Sequence, residues 1–130
     1  MGHMASILLV DDDFDGSEAL AQTLRREGHE VRHVADGRDA LTAILEELPQ
    51  LVVLDLKMPD MSGIDLLEIM RSYLRLSDVP VIMFTAYPDR EVERRGKRLK
   101  VMEIFEKGKA EFQDLVAWIN PRFPPTPVAT

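Results

Sequence analysis

A small set of side chains in this sequence could do chemistry together: Asp11, Asp12 and Asp13, then Asp55, Thr85 and Lys107. The acids and the threonine each follow an apolar run, Ile7–Val10, Leu51–Leu54 and Val81–Phe84, and Lys107 follows Phe105-Glu106. If the ends of those runs converge, the carboxylates crowd one another and each holds its proton more tightly unless a cation intervenes. Carboxylate oxygens with no cysteine or adjacent histidine suit a hard dication, Mg²⁺ or Mn²⁺. Lys107 would add a second positive charge and Thr85 a hydroxyl donor. Such a site accepts an anion, and a phosphoryl group, with its charge on equatorial oxygens, matches it. One carboxylate could attack phosphorus and become an acyl phosphate.

Taken singly, each residue has a plainer reading. An Asp after a strand commonly caps the next helix, which fits Asp13 or Asp15. Asp55 fits that role poorly, because the next helical pattern begins only at Ser62. Thr85 alone reads as a β-branched strand residue, and Lys107 alone as a solvated lysine. Their places at four separate strand ends make the joint case.

The elements that must position them alternate regularly. Ile7–Val10, Leu51–Leu54 and Val81–Phe84 are fully apolar runs of strand length, and Glu30–Val34 and Val101–Phe105 complete five strands. Helical spacing spans Phe14–Glu27, with Gly28 as its stop, and Arg38–Leu48, with Ala40, Leu41, Ile44, Leu45 and Leu48 on one face. It returns at Ser62–Leu74, weakly at Asp89–Leu99, and at Ala110–Ile119, where Phe112, Leu115, Val116 and Ile119 face inward. Strands apolar throughout are covered on both faces, so the repeated βα pattern predicts a parallel sheet between helices, a three-layer α/β fold. In such sheets ligands bind beyond the carboxyl ends of the strands.

The chain has 130 residues and a formal net charge of −7. That length suits one domain, and 45% hydrophobic with 30% charged residues is globular composition. No apolar run approaches the about 18 residues of a membrane span, and there is no secretory signal pattern. Cysteine is absent, which excludes disulfides and thiolate metal sites and suits a reducing cytoplasm. The acidic balance argues against a nucleic-acid grip over the whole surface. Against it stands the run Arg94-Arg95-Gly96-Lys97-Arg98-Leu99-Lys100, which reads as a solvated helix face or a dock for an anionic partner. His29 and His33 read as surface residues, and Trp118 as half-packed. Residues 1–6 read as a cloning remnant, 7–120 as the folded domain, and 121–130 as a proline-rich tail.

Together the segments Ile-Leu-Leu-Val-Asp11-Asp12-Asp13, Val-Val-Leu-Asp55-Leu-Lys-Met-Pro59-Asp-Met-Ser-Gly63, Val-Ile-Met-Phe-Thr85-Ala86 and Phe105-Glu106-Lys107 resemble the receiver domain of bacterial two-component response regulators. The resemblance covers Ile7 to Ile119. It implies a flavodoxin-like (βα)5 fold with strand order 2-1-3-4-5. Asp55 would be the phosphoacceptor. Asp12 would bind Mg²⁺ directly and Asp11 mostly through water, with the Lys57 carbonyl as a further ligand. Thr85 would hydrogen-bond the phosphoryl group, Ala86 would leave room for it, and Lys107 would pair with it. Pro59 and Gly63 would shape the loop after Asp55, with positive φ expected at Gly63. A histidine kinase or phosphotransfer protein would donate the phosphoryl group. An output domain or partner protein would read the face from Arg90–Lys100 to Ile119, and a second copy of the chain is a further candidate partner.

The sequence departs from the family at four places: Gly108 where proline usually follows the lysine, Ile104 at a usual aromatic position, Lys100-Val101 in place of Gly-Ala, and a basic, apolar-poor fourth helix. All four fall between the fourth helix and the loop after the fifth strand. They support an alternative, a receiver that serves as an unphosphorylated interaction module. A haloacid-dehalogenase-type phosphatase, reading Asp11-Asp12-Asp13 as its Asp-x-Asp, would leave Asp55 without a role.

Overall fold

The computed structural model describes residues 6–125. Strand β1 (Ser6–Val10) is followed by α1 (Phe14–Arg26), β2 (Glu30–Val34), α2 (Gly37–Glu46) and β3 (Leu51–Leu54). Then come α3 (Gly63–Ser72), β4 (Val81–Thr85), α4 (Arg90–Arg98), β5 (Ile104–Glu106) and α5 (Phe112–Arg122). The strands form one parallel sheet in the order β2-β1-β3-β4-β5, the flavodoxin-like topology expected.

Successive side chains of a strand face opposite ways, and both faces of this sheet are dry. Leu8, Val10, Val52, Leu54, Val81 and Met83 pack with Ala40, Ile44, Leu67 and Met70, so α2 and α3 cover one side. Ile7, Leu9, Leu51, Val53, Ile82 and Phe84 pack with Leu20, Leu24, Leu115 and Ile119, so α1 and α5 cover the other. That explains the unbroken apolar runs. Removing a large side chain such as Leu8 or Leu51, both fully buried, would cost about 2–5 kcal/mol.

Some boundaries differ from the expected ones. Ser6, set aside with the amino-terminal remnant, pairs with Glu30 as the first residue of β1, while residues 1–5 lie outside the described ones. At the other end α5 takes in Pro121 and Arg122, and residues 126–130 of the expected tail lie outside the described ones. Strand β5 begins at Ile104, not Val101, because Val101 belongs to the end of α4: its N–H bonds to the Gly96 carbonyl at 2.8 Å. Helix α2 stops at Glu46, with Arg32 of β2 donating to the Ala43 and Glu47 carbonyls, and leaves Leu45 and Leu48 exposed against expectation.

Helices α1 and α4 end in the same motif with different residues. After α1, Gly28 has φ 102°, Gly28 N–H bonds to Arg25 O and His29 N–H to Leu24 O. After α4, Lys100 has φ 65°, its N–H bonds to Lys97 O and Val101 N–H to Gly96 O. Both are Schellman closures, which put the residue after the C-cap in the left-handed region. Glycine enters that region freely, whereas lysine is strained there.

Candidate functional site

Backbone hydrogen bonds carry the site residues to one end of the sheet. Asp11 N–H bonds to Val34 O at 3.1 Å, and Asp55 N–H to Val10 O at 2.8 Å, so Asp11 and Asp55 close adjacent strands. Thr85 ends β4 paired with Glu106, and its carbonyl accepts from Lys107 N–H at 2.8 Å. The ladder therefore brings Asp11, Asp55, Thr85 and Lys107 together, and Asp12 stands exposed beside Asp11.

Lys107 is the centre of the side-chain geometry. Its Nζ lies 2.5 Å from Asp11 Oδ2 and 3.2 Å from Asp55 Oδ2, with the Phe84 ring centroid 5.6 Å away. The other carboxylate oxygens are held by main chain: Asp11 Oδ1 accepts from Asp13 N–H at 2.8 Å, and Asp55 Oδ1 from Leu56 N–H at 2.7 Å. Asp11, Asp55 and Thr85 are all under 10% exposed. Burial raises the Asp11 pKa, the negative charge of Asp55 raises it further, and the bonds from Lys107 and Asp13 offset part of the rise. Lys107 is shifted upward because its contacts with the two carboxylates outweigh its own desolvation.

Oxygen atoms from the carboxylates of Asp11, Asp12 and Asp55 all lie within 4.8 Å of one another. Three carboxylates against one ammonium leave a surplus of negative charge, in an all-oxygen donor set. A hard dication fits those donors, and a thiolate or imidazole metal does not.

Other expected roles fall into place or move. Asp13 is the N-cap of α1, accepting from Gly16 N–H at 3.3 Å. Lys57, Pro59 and Ala86 are exposed at the rim. Gly63 has no positive φ; glycine is needed there because a Cβ would lie 2.5 Å from Asp55 O. Gly108 does have positive φ, 88°. Ile104 and Phe105 point to opposite sides of β5: Ile104 packs with the α2–α3 side, and Phe105 sits edge-on to Trp118 of α5 at 6.4 Å.

Neither His29 nor His33 is a free surface residue. His29 is 3% exposed, and its Nε2–H donates to Asn120 Oδ1 at 2.6 Å, while Asn120 Nδ2 donates to Glu27. His33 Nε2–H donates to the Asp11 carbonyl at 2.9 Å, and its ring lies against Phe14. Two further residues went unread in the sequence. Arg71 donates to the carbonyls of Leu76, Ser77, Val79 and Leu99, joining the loop after α3 to the end of α4. Asp60 accepts from Gly37 N–H and Arg38 N–H at the start of α2. No periodicity marks either residue; the Met-Pro-Asp stretch after Asp55 was the one local signal.

No helix among the described residues is long and apolar enough to cross a membrane. Comparison with known proteins agrees with the geometry. DNA-binding response regulator MtrA of Mycobacterium tuberculosis is 46% identical over 83 residues, 64% of this chain and 35% of that protein. Transcriptional regulatory protein GltR of Pseudomonas aeruginosa is 45% identical over 84 residues, 65% of this chain and 35% of that protein. The chain thus matches about a third of the length of these curated relatives. Among solved structures, a CheY-like response regulator receiver domain protein from Methanospirillum hungatei superposes with a TM-score of 0.85 at 29% identity, covering 93% of this chain and 94% of that one. A putative response regulator from Chloroflexus aurantiacus gives 0.83 at 30% identity, covering 92% and 97%. The family model for the response regulator receiver domain matches residues 7–120, and with the acidic crevice at the expected end of a 2-1-3-4-5 sheet, the chain belongs to the receiver domains of two-component response regulators.

Proposed function

We propose that this domain accepts a phosphoryl group on Asp55 from a histidine kinase or phosphotransfer protein, and that the phosphorylated state alters the face formed by α4, β5 and α5. The observation that carries this reading is Lys107 Nζ between Asp11 and Asp55. It keeps an ammonium beside the nucleophile at the place where an incoming anion needs a counter-charge.

Asp11, Asp12 and Asp55, with the Lys57 carbonyl, are the groups that would hold Mg²⁺ or Mn²⁺. Such an ion, when bound, screens the repulsion between the carboxylates and the phosphoryl oxygens. The chain's own residues do the rest. Leu56 N–H fixes Asp55 Oδ1, orienting the carboxylate. An Asp55 oxygen forms the new O–P bond as the P–N bond of a phosphohistidine breaks, and the electron pair of that bond stays on the imidazole. Lys107 pairs with the phosphoryl oxygens, loosening its hold on Asp11.

Thr85 then turns its hydroxyl toward the phosphoryl group. Because Thr85 pairs with Glu106 of β5 and its carbonyl holds Lys107 N–H, movement at the end of β4 is felt at the end of β5 and at Lys107. The surface from Arg90–Lys100 to Ile119 would present the change to an output module, a partner protein or a second copy. Small acyl phosphates would serve as donors in self-phosphorylation. Hydrolysis resets the state, with Lys57 and the 80% exposed Tyr87 flanking the path of the attacking water.

Radiolabelled acetyl phosphate with Mg²⁺ tests the assignment. The wild-type chain should incorporate label and Asp55→Asn should incorporate none. Equal labelling of the two proteins sinks the acceptor assignment. A chain that neither labels nor binds Mg²⁺ would instead be the interaction module.

A further inference from the structure

The loop after Asp55, residues 56–62, has its two ends secured by its neighbours. Leu56 N–H bonds to Asp55 Oδ1, and Gly63 N–H returns to Leu56 O at 2.8 Å. Leu56, Met58 and Met61 are half-buried against the α2–α3 side of the core, while Lys57, Pro59 and Asp60 are exposed.

Asp60 ties the loop to a neighbouring helix. Its Oδ1 accepts from Gly37 N–H at 3.0 Å and from Met61 N–H at 2.9 Å, and its Oδ2 accepts from Arg38 N–H at 3.0 Å. Gly37 and Arg38 are the first two residues of α2, whose N–H groups have no acceptor within the helix. A carboxylate at a helix N-terminus is favoured by the helix dipole as well. These backbone donors hold the Asp60 carboxyl below the usual carboxylate range. Asp36 caps the next amide separately, accepting from Asp39 N–H at 2.7 Å. Met61 presses on the same spot: a Cβ on Gly37 would collide with Met61 Cγ. The loop and the start of α2 are therefore fitted by charge and by shape.

We infer that Asp60 is a positioning residue of the divalent-cation site, locking the 56–62 loop onto α2 so that the Lys57 main chain stands ready for the ion held by Asp11, Asp12 and Asp55. The inference rests on the cation site proposed above. Asp60 itself does not touch the ion. Its effect is to order the loop before binding, so that the ordering cost does not fall on the ion's affinity.

The test uses the full chain, with Mg²⁺ alone as the probe, followed by titration calorimetry, and with amide hydrogen exchange at residues 56–62 as a second readout. Asp60→Ala should weaken Mg²⁺ binding by about tenfold, the size of effect seen when a supporting contact behind a metal ligand is lost. It should also speed exchange in the loop. Gly37→Ala leaves Asp60 in place but pushes on Met61, and should move both readouts the same way by less. Asp36→Ala removes the other cap of the same helix end; it should lower the unfolding midpoint and leave both readouts at wild-type values. The inference is overturned if Asp60→Ala binds Mg²⁺ like wild type, or if Asp36→Ala weakens binding as much. A wild-type chain that takes up no Mg²⁺ would remove the cation site itself, and this role with it.

Discussion

The acidic crevice and helix α4 are only a few residues apart at Thr85, yet they are held in opposite ways. In the crevice, the buried charges have close partners: Lys107 bridges Asp11 and Asp55, and main-chain N–H groups fix the second oxygen of each, with Asp12 exposed beside them. Nine residues long, α4 buries Gly96 alone within its span, with Val92 half-buried, while Arg94, Lys97 and Arg98 face solvent. Its attachments are few and peripheral: Arg95 to Glu68 of α3, and Arg71 to the Leu99 carbonyl. The contrast is between a preorganised acidic crevice and an element with little apolar anchorage. Segments that shift on signalling are drawn from that weakly held end of a fold. The four departures from the family pattern fall in and after α4, whereas the crevice keeps its full set.

The sharpest way to break the contrast is to remove Lys107. Lys107→Ala should slow phosphoryl transfer from acetyl phosphate by about a hundredfold, as loss of a charge-stabilising donor does, while leaving the chain folded. A fall of less than a few fold, measured as the initial labelling rate, would mean the ammonium is not part of the chemistry.

Arg71 tests the other side. Its four carbonyl acceptors belong to the loop after α3 and the end of α4. Burial draws its pKa below the ordinary arginine value, with the negative charge of Asp78 opposing that shift. Truncation leaves those carbonyls short of a donor. Arg71→Ala should lower stability by about 2 kcal/mol in urea unfolding, with the first added flexibility at residues 73–79 and 99–101. Labelling of Asp55 should change little.

A smaller effect of opposite sign is expected at Lys100. Relieving the left-handed strain after α4 with Lys100→Gly should stabilise the chain by about 1 kcal/mol, less whatever glycine adds to the freedom of the unfolded state. The same exchange run backwards after α1, Gly28→Lys, should destabilise. If Lys100→Gly is neutral, the strain assigned to that residue is not there.

The smallest effect concerns pH. Backbone hydrogen bonds lower the folded-state pKa of Asp60, so the unfolded state binds its proton first as pH falls. Its contribution is present above the ordinary carboxylate pKa and is lost as pH drops through the folded value. Asp60→Asn should therefore flatten the acid limb of the stability curve slightly and leave the neutral region parallel to wild type. A steeper acid limb in the variant would reverse the sign.

Much of this molecule is legible in its sequence. Burial on both faces of a parallel sheet writes itself as unbroken apolar runs, and β1, β3 and β4 came from such runs with boundaries close to those observed. The acids and Thr85 stood out because each closes a run, and parallel strands deliver their ends to one side. What failed was whatever depends on which helix lies beside which. Leu45 and Leu48 share helical spacing with Ala40 and Ile44, yet Leu45 faces solvent from within α2 and Leu48 lies past its end. His29 reads as a turn residue until Asn120, far along the chain, is packed over it. Val101 has strand composition, but closing α4 claims its N–H first.

Sequence alone determined the layered fold and the residues at the strand ends, because periodicity and the solvent's rejection of apolar surface act locally and repeat. Tertiary structure alone decided how those residues are paired. Lys107 lies closer to Asp11 than to Asp55, Asp60 is spent on the start of α2, and Arg71 on four carbonyls. Each is a single side chain meeting partners outside its own element, Leu99 in the case of Arg71 being far along the chain, and its energy depends on distances of a few ångströms that no repeat along the chain records.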